Sequence, residues 1–168
     1  MTAGEVKELL SLEPHPREGG WFIQTYAAND NIPAEVFGEG RYSGQRRTST
    51  AIYYLLEPDT FSEMHRLRSD EIFHFYAGGA VEMLQLLPDG TGRTIVIGND
   101  IRAGQRPQVV VEGGVWQGVR LAPGGSWALL GCTVAPGFEY EDYDSASRDE
   151  LTAQWPEFAD RIATLTRY

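Results

Sequence analysis

The sequence lacks most features of membrane, secreted and nucleic-acid-binding proteins. Its 168 residues include one cysteine, Cys132, which excludes an internal disulfide framework. Lysine and arginine number 14 against 24 acidic residues, a formal charge of -10, whereas nucleic-acid binding needs clustered basic side chains. No apolar run approaches the roughly 20 residues of a membrane helix, and the polar N-terminus lacks the layout of a secretory signal. We therefore expect a cytoplasmic protein with no nucleic-acid or membrane partner.

The apolar content that is present is enough for one core. Hydrophobic residues make up 42% of the chain, which is ordinary for a globular protein. The length fits a single domain over residues 1–168. At the N-terminus, residues 3–12 carry their apolar side chains on one helical face and predict a short helix. Near the C-terminus, the capping-box pair Ser147 and Glu150 and the segment 156–165 predict further short helices.

The central part of the chain has the pattern of an all-β protein. Residues 15–20, His-Pro-Arg-Glu-Gly-Gly, predict a shaped loop, and residues 21–26 alternate as a strand. A polar loop over about 27–46 follows. From Thr48 onward, strands recur about every ten residues and are separated by turn sequences such as residues 87–90 (Leu-Pro-Asp-Gly). Because no helix lies between these strands, we predict an antiparallel sandwich or barrel.

Most residues capable of chemistry lie in one stretch, residues 61–79 (FSEMHRLRSDEIFHFYAGG). It holds two of the three histidines, His65 and His74, together with Glu71. An imidazole beside a carboxylate on a rigid sheet can form a metal site or an acid–base pair. Strand alternation puts Glu71 and Phe75 on one face and His74 on the other, unless a bulge near residues 68–72 turns His74 inward.

Several of these segments resemble the cupin superfamily of double-stranded β-helix, or jelly-roll, barrels. In its first motif a histidine precedes a glutamate, and a glycine follows that glutamate after six residues, as do His65, Glu71 and Gly78 here. The second motif is similar to residues 111–117 (VEGGVWQ), with Gln117 at its histidine position. The chain more closely resembles an uncharacterised, RmlC-like cupin subfamily. The matching segments are Pro14–Gly20, Ser62–Tyr76, Gly114–Gln117 and Cys132–Phe138.

The resemblance also bears on metal binding. A metal-binding cupin supplies three histidines and a glutamate, whereas this chain has Leu67 and Gln117 at two of the histidine positions. A neutral amide is a poor ligand for a transition metal compared with imidazole. We therefore expect no cofactor. The alternative is a weakly bound divalent metal held by His65, Glu71 and Gln117.

Without a metal, His65 and Glu71 predict acid–base chemistry. The carboxylate orients the imidazole and raises its basicity, so that His65 serves as the base. Tyr53 or Tyr54 on the preceding strand supplies the acid, and alternation lets only one face the pocket; we take Tyr53 as the candidate. The scheme resembles that of the cupin-like sugar-nucleotide epimerases. It predicts an epimerase, isomerase or lyase acting on a polar, sugar- or nucleotide-like substrate, and the alternative is a non-catalytic metabolite-binding protein.

Five further residues are candidates for substrate binding. These are Gln117, Arg47, Trp116, His74 and Phe75. An arginine can hold an anionic part of a small-molecule ligand, although a solvated surface position explains Arg47 equally well. The aromatic residues also fit core packing.

The remaining expectations concern a histidine, the cysteine and the assembly. We expect His15 to be an ordinary loop residue and Cys132 to be a buried structural thiol. The resemblance and the exposed sheet edges imply a homodimer, with the strand Trp21–Tyr26 as the candidate for exchange between copies.

Overall fold

The computed structural model describes residues 1–167, and most of its regular structure is β. The thirteen strands are β1 Glu13–Pro14, β2 Trp21–Ala27, β3 Asn31–Ile32, β4 Arg46–Arg47, β5 Thr50–Leu56, β6 Phe61–Arg66, β7 Asp70–Gly78, β8 Val81–Leu86, β9 Gly92–Ile97, β10 Gln108–Val111, β11 Trp116–Leu121, β12 Ala128–Ala135 and β13 Asp144–Ser145. The helices are α1 Ala3–Leu10, α2 Arg148–Gln154 and α3 Ala159–Ala163. Short 3-10 helices cover Ala34–Phe37, Tyr140–Asp142 and Pro156–Phe158.

Two large antiparallel sheets form the body of the jelly roll. One has the strand order β1-β2-β5-β12-β7-β10 and the other β13-β6-β11-β8-β9, while β3 and β4 form a small ribbon. Inward-facing side chains of both sheets share one core, for example Phe73 and Leu130 from the first and Met83 and Val119 from the second. The predicted all-β jelly roll is confirmed. Its closure into a barrel is not, because no strand ladder joins the two large sheets within residues 1–167.

The helices cover the outer faces of the sheets. Helix α1 is capped by Thr2 and Glu5, and its Val6 packs with Leu55 of β5 on the outer face of the six-stranded sheet. Helices α2 and α3 pack with Met64 of β6 and Leu84 of β8 on the other sheet. The segment predicted to form one C-terminal helix, 156–165, is a 3-10 turn followed by α3. None of the helices in the described range is long and apolar enough to cross a membrane.

The N-terminal cap of α2 is the capping box predicted from the sequence. The backbone N–H of Glu150 donates to Ser147 Oγ, and the Glu150 carboxylate accepts from the Ser147 N–H at 2.8 Å. We expect Ser147→Ala to lower the free energy of unfolding by about 1 kcal/mol, because it leaves a helix N–H without a partner. Urea denaturation measures the change. Ser147→Asp, which retains an acceptor, should keep most of the stability, and an equal loss in both variants would contradict this role.

Strand β2 is held inside its own sheet rather than detached. It pairs with β5 along its length and with β1 only at Trp21 and Phe22. From Ile23 onward its outer edge has no strand partner in the part of the chain that the structure describes. The predicted exchange of this strand in a homodimer stays a prediction.

Candidate functional site

A cavity of about 260 Å³ lies against the inner face of the six-stranded sheet. The loop 15–20 and the segment 138–140 complete its walls. Its polar lining consists of His15, Glu18, Gln24, Thr50, Glu71 and Cys132. Its apolar and aromatic lining consists of Phe22, Ala51, Ile52, Leu67, Val134, Phe138 and Tyr140. Two carboxyl groups and no lysine or arginine are therefore present among these lining residues.

The loop 15–20 is held in place by hydrogen bonds over long sequence distances. The His15 N–H donates to the Gly20 carbonyl at 2.9 Å and closes the loop. The Tyr54 hydroxyl donates to the Gly19 carbonyl at 2.7 Å, and the Glu63 N–H donates to the Glu18 carbonyl at 3.0 Å. Gly20 has a φ of 70°, and a Cβ there would lie 2.8 Å from the Leu55 carbonyl oxygen, so glycine is required. These contacts fix the direction of the Glu18 side chain.

His15 and Glu18 form a pair at one side of the cavity. His15 Nδ1 accepts hydrogen bonds from the backbone N–H groups of Arg17 and Glu18, at 3.3 and 2.9 Å. The neutral ring therefore carries its proton on Nε2, which lies 3.6 Å from Glu18 Oε1. The other carboxylate oxygen of Glu18 accepts from Ser62 Oγ at 3.2 Å. Burial raises the pKa of Glu18, and the nearby His15 partly opposes that change.

His65 lies behind the cavity wall and is 1% exposed. Its Nδ1 is 2.7 Å from the Glu63 carbonyl oxygen, which can only accept, so Nδ1 carries the proton in the neutral ring. Its Nε2 lone pair points toward Gln117 Nε2 at 3.4 Å and lies 3.9 Å from Glu18 Oε1. The ring also stacks on Tyr143, with centroids 4.9 Å apart. Burial lowers the pKa of His65, and the negative charge of Glu71 partly opposes that change.

Glu71 on β7 connects this buried cluster with the cavity. Its Oε2 accepts a hydrogen bond from Gln117 Nε2, whose own Oε1 is buried without a partner among the described residues. Glu71 is 7% exposed and lines the cavity. Burial, together with the negative charge of Glu18, raises the pKa of Glu71 to about 7. A carboxyl group of this kind is present in both protonation states near neutral pH.

Cys132 lies in the cavity wall beside these carboxyl groups. Its thiol is free and buried, as expected from its apolar strand. Burial raises the pKa of the thiol well above its ordinary value, with Glu71 and Glu18 adding to the effect. Cys132 is therefore protonated at neutral pH and is not a nucleophile in this state.

The structure also settles which of the two tyrosines on β5 faces inward. Tyr54 packs in the core between the sheets, and its hydroxyl donates a hydrogen bond to the Gly19 carbonyl. Tyr53 points to the outer face, where it packs near α1 and contacts Tyr76 edge-on at 5.8 Å. The assignment of Tyr53 as the acid at the pocket therefore does not fit its position. Its direction follows from strand alternation once Tyr54 is inside.

Of the other predicted residues, the structure brings only Gln117 into the cluster. Arg47 donates to the Ala28 carbonyl, and Phe75 packs against the core. His74 lies on the outer face, where its Nε2 is 3.2 Å from Thr133 Oγ1. Trp116 lies beneath the Arg66 guanidinium on the other sheet. None of these four is among the described lining residues, and neither is His65, which was expected to face the pocket directly.

Two residues of the loop 15–20, His15 and Glu18, reach the cavity although the sequence did not predict it. His15 was expected to be an ordinary loop residue, and Glu18 was not singled out. The signal was the Gly-Gly pair directly after Glu18, since two adjacent glycines indicate a tightly constrained backbone. Which side chain that backbone presents inward depends on Tyr54 and Glu63, which are distant in sequence.

Comparison with known proteins agrees with this architecture. Residues 5–146 match the family described as Cupin superfamily (DUF985). The chain belongs to the cupin superfamily. An uncharacterized protein of Saccharomyces cerevisiae, YML079W, is 31% identical over 134 aligned residues, and the match covers 76% of this chain and 67% of the yeast protein. The predicted membership of an uncharacterised cupin subfamily is thus confirmed.

Solved structures of similar proteins cover the whole cupin chain. A hypothetical protein from Leishmania major has a TM-score of 0.89 and 27% identity, with 100% of both chains covered. Protein SO0799 from Shewanella oneidensis has a TM-score of 0.87 and 30% identity, covering 99% of this chain and 98% of its own. Bacillus subtilis oxalate decarboxylase has a TM-score of 0.53 and 11% identity, covering 93% of this chain and 38% of its own. This last similarity supports the fold alone.

The donor groups of this cupin do not fit a metal site of the kind the resemblance implies. Leu67 lines the cavity at one histidine position, and at the other Gln117 donates its amide N–H to Glu71, so that Gln117 could offer an ion only a neutral amide oxygen, a poor ligand for a transition metal. Within residues 1–167, no three His, Cys, Asp or Glu side chains are grouped so as to hold an ion. A tight transition-metal site usually has three or four such ligands.

Proposed function

We propose that this cupin is an enzyme that transfers a proton on a small polar molecule bound in the 260 Å³ cavity, as an isomerase, epimerase or lyase does. The observation that carries the proposal is the convergence of Glu18 and Glu71 on one cavity that is otherwise largely apolar. Proton-transfer catalysis needs groups whose pKa lies near the working pH. Burial and mutual repulsion raise the pKa of Glu71 to about 7, which meets this requirement.

The roles of the individual residues follow from their positions. Glu71 removes or donates a proton at the substrate, and Glu18 is the second proton carrier. His65 does not reach the cavity. It acts as a positioning residue for Gln117, because its Nε2 lone pair faces the Gln117 amide and lies near Glu18 Oε1. His15, through Nε2–H, holds the Glu18 carboxylate at the cavity surface. Two proton carriers on one cavity suit removal of a proton at one position and its return at another.

The residues that line the cavity also limit the chemical class of the substrate. A nucleotide or sugar phosphate needs a cationic side chain or a set of N–H donors, and the described lining has no arginine or lysine. Arg47, the predicted anion-binding residue, is engaged with the Ala28 carbonyl instead. We therefore propose a small substrate without a phosphate group in place of a nucleotide-like one. Phe22, Phe138 and Tyr140 supply an apolar surface for its carbon skeleton.

Hydrogen–deuterium exchange tests the reaction type whatever the product is. The protein is incubated in D₂O with a panel of small hydroxy-ketones and aldoses, amino-substituted ones included, and loss of carbon-bound proton signals is followed by NMR. We expect exchange in at least one compound, slowed more than about 100-fold in Glu71→Gln, because the variant has no carboxyl group to carry the proton. The matched control is Glu112→Gln, a change at an exposed glutamate outside the cavity.

The same experiment separates the enzyme from a non-catalytic binding protein. Compounds that raise the melting temperature of the wild type but do not exchange, even at high protein concentration, would favour the binding protein. Exchange that is equally fast in Glu71→Gln would contradict the role given to Glu71.

A further inference from the structure

The charged side chains that line the cavity are acidic. Glu71 is surrounded by Glu18 from the loop 15–20, His65 from β6, Gln117 from β11 and Cys132 from β12. His15 adjoins Glu18 on its other side. Burial lowers the pKa of both histidines, so neither supplies a lasting positive charge at neutral pH. The glutamates are therefore the main source of charge at this cavity. Among the lining residues that the structure describes, no lysine or arginine neutralises them.

The free hydrogen-bonding positions are mostly acceptors. Glu71 Oε2 accepts from Gln117, and the same carboxyl group is hydrogen-bonded to the uncharged thiol of Cys132, so that both of these partners of the cavity-lining residue are neutral. Glu18 Oε1 has only the distant contacts with His15 and His65, at 3.6 and 3.9 Å. Buried carboxylates without partners are costly, and a donor that carries positive charge relieves most of that cost. A cationic donor group is therefore the partner that these two carboxylates lack in the lining.

The apolar walls complete the description of the ligand. Phe22, Phe138 and Tyr140 present aromatic surface to the same cavity, with Phe138 and Tyr140 in edge contact at 5.1 Å between centroids. Aromatic faces attract organic cations and accept hydrocarbon skeletons. A cavity of about 260 Å³ has room for a small molecule but not for a polymer or nucleotide.

We propose that the cavity binds a small organic amine in its ammonium form, with the nitrogen between Glu18 and Glu71 and the carbon skeleton against the aromatic wall. An ammonium group brings three N–H donors and a positive charge, which match two carboxylates that have no cationic side chain beside them in the lining. This inference rests on the proposed function in so far as the cavity is the ligand site, and it adds the chemical class of the substrate.

Three compounds with the same ring skeleton and different charge provide the test. Benzylamine, benzyl alcohol and benzoate are titrated into the full-length protein at pH 7.5, with binding followed by ligand-observed NMR and calorimetry. We expect benzylamine to bind at least about tenfold more tightly than benzyl alcohol, because its hydrogen bonds to the carboxylates are charge-assisted. Benzoate should not bind. In Glu71→Gln the preference for the amine should shrink toward unity while benzyl alcohol still binds, and Glu112→Gln should match the wild type.

The outcomes distinguish the two proposals. Benzyl alcohol or benzoate binding as tightly as benzylamine overturns the amine inference and leaves the cavity as the ligand site. Failure of all three compounds to bind counts against the cavity as a ligand site and so against the proposed function as well. Benzylamine binding that is unchanged in Glu71→Gln places the ammonium elsewhere and also overturns the inference. A circular dichroism spectrum identical to that of the wild type shows that the variant is folded.

Discussion

At pH 8, the Glu71→Gln variant is expected to be more stable than the wild type. The difference in the free energy of unfolding between variant and wild type should increase by up to about 3 kcal/mol from pH 5 to pH 8. The pKa of Glu71 is raised from 4.5 to about 7 by burial and by Glu18. The folded protein therefore binds more protons than the unfolded chain between these pH values. The wild type loses stability as the pH rises through that range, because folding then has to bury an ionised carboxylate. A neutral amide avoids this loss and can still accept a hydrogen bond from Gln117.

Urea denaturation of the two proteins at several pH values between 5 and 8.5 measures this effect. Burial lowers the pKa of His65 and of His15. These histidines therefore destabilise the folded protein as the pH falls below the usual histidine range, whereas Glu71 destabilises it as the pH rises. They are present in both proteins, so the effect of burial on their pKa cancels in the difference between variant and wild type, and only the part of the His65 pKa that depends on the charge of Glu71 remains. Glu112→Gln should show no pH-dependent difference. A Glu71→Gln difference that is constant across this range would mean that Glu71 titrates normally.

Replacing Arg46 with methionine is expected to lower the free energy of unfolding by about 3–5 kcal/mol. Arg46 is 1% exposed, and its Nε and Nη2 donate to the two carboxylate oxygens of Asp142 at 2.8 and 2.9 Å. The substitution leaves Asp142, itself buried, without its two close hydrogen bonds, and the half-exposed Arg68 at 3.9 Å is the cation that remains beside it. This ion pair also ties β4 to the 3-10 helix Tyr140–Asp142, which includes the cavity-lining Tyr140.

Equilibrium unfolding in urea measures the loss, and a double variant is its control. Arg46→Met combined with Asp142→Leu removes both charges and should recover most of the stability, as apolar replacements of buried ion pairs often do. Arg66→Met, which breaks the exposed contact with Asp144, should lower stability by less than about 1 kcal/mol. If Arg46→Met and Arg66→Met have the same small effect, the buried pair does not hold this segment.

The strands and turns of this cupin could be predicted from local sequence, whereas the closure of the sheets could not. Alternating apolar residues and the turn at residues 87–90 identify the β8–β9 hairpin, and Ser147 with Glu150 identifies the start of α2. Those signals depend on neighbours in the sequence. Whether the edges of two sheets meet depends on strand pairing between distant residues, for which the local pattern contains no information.

The candidate site could be predicted in part for the same reason. His65 and Gln117 are adjacent because β6 and β11 pair at these residues, and Glu71 meets Gln117 from β7 on the other sheet. The resemblance to the cupin motifs implied this grouping. The inward direction of Tyr54 could not be read from the sequence. Both faces of β5 are covered by apolar side chains, the inner one by the core and the outer one by α1. Glu18 and His15 reach the cavity only through hydrogen bonds from Tyr54 and Glu63 to the loop.

The central claim is that Glu71 is a buried carboxyl group that exchanges its proton near neutral pH at the surface of a ligand cavity. A carbon-detected NMR titration of protein labelled at the glutamate carboxyl carbon tests it most directly, with the Glu71 signal assigned by its absence in Glu71→Gln. We predict a titration midpoint at about 7 for this signal, well above its ordinary value of 4.5. A midpoint close to that ordinary value would contradict the claim.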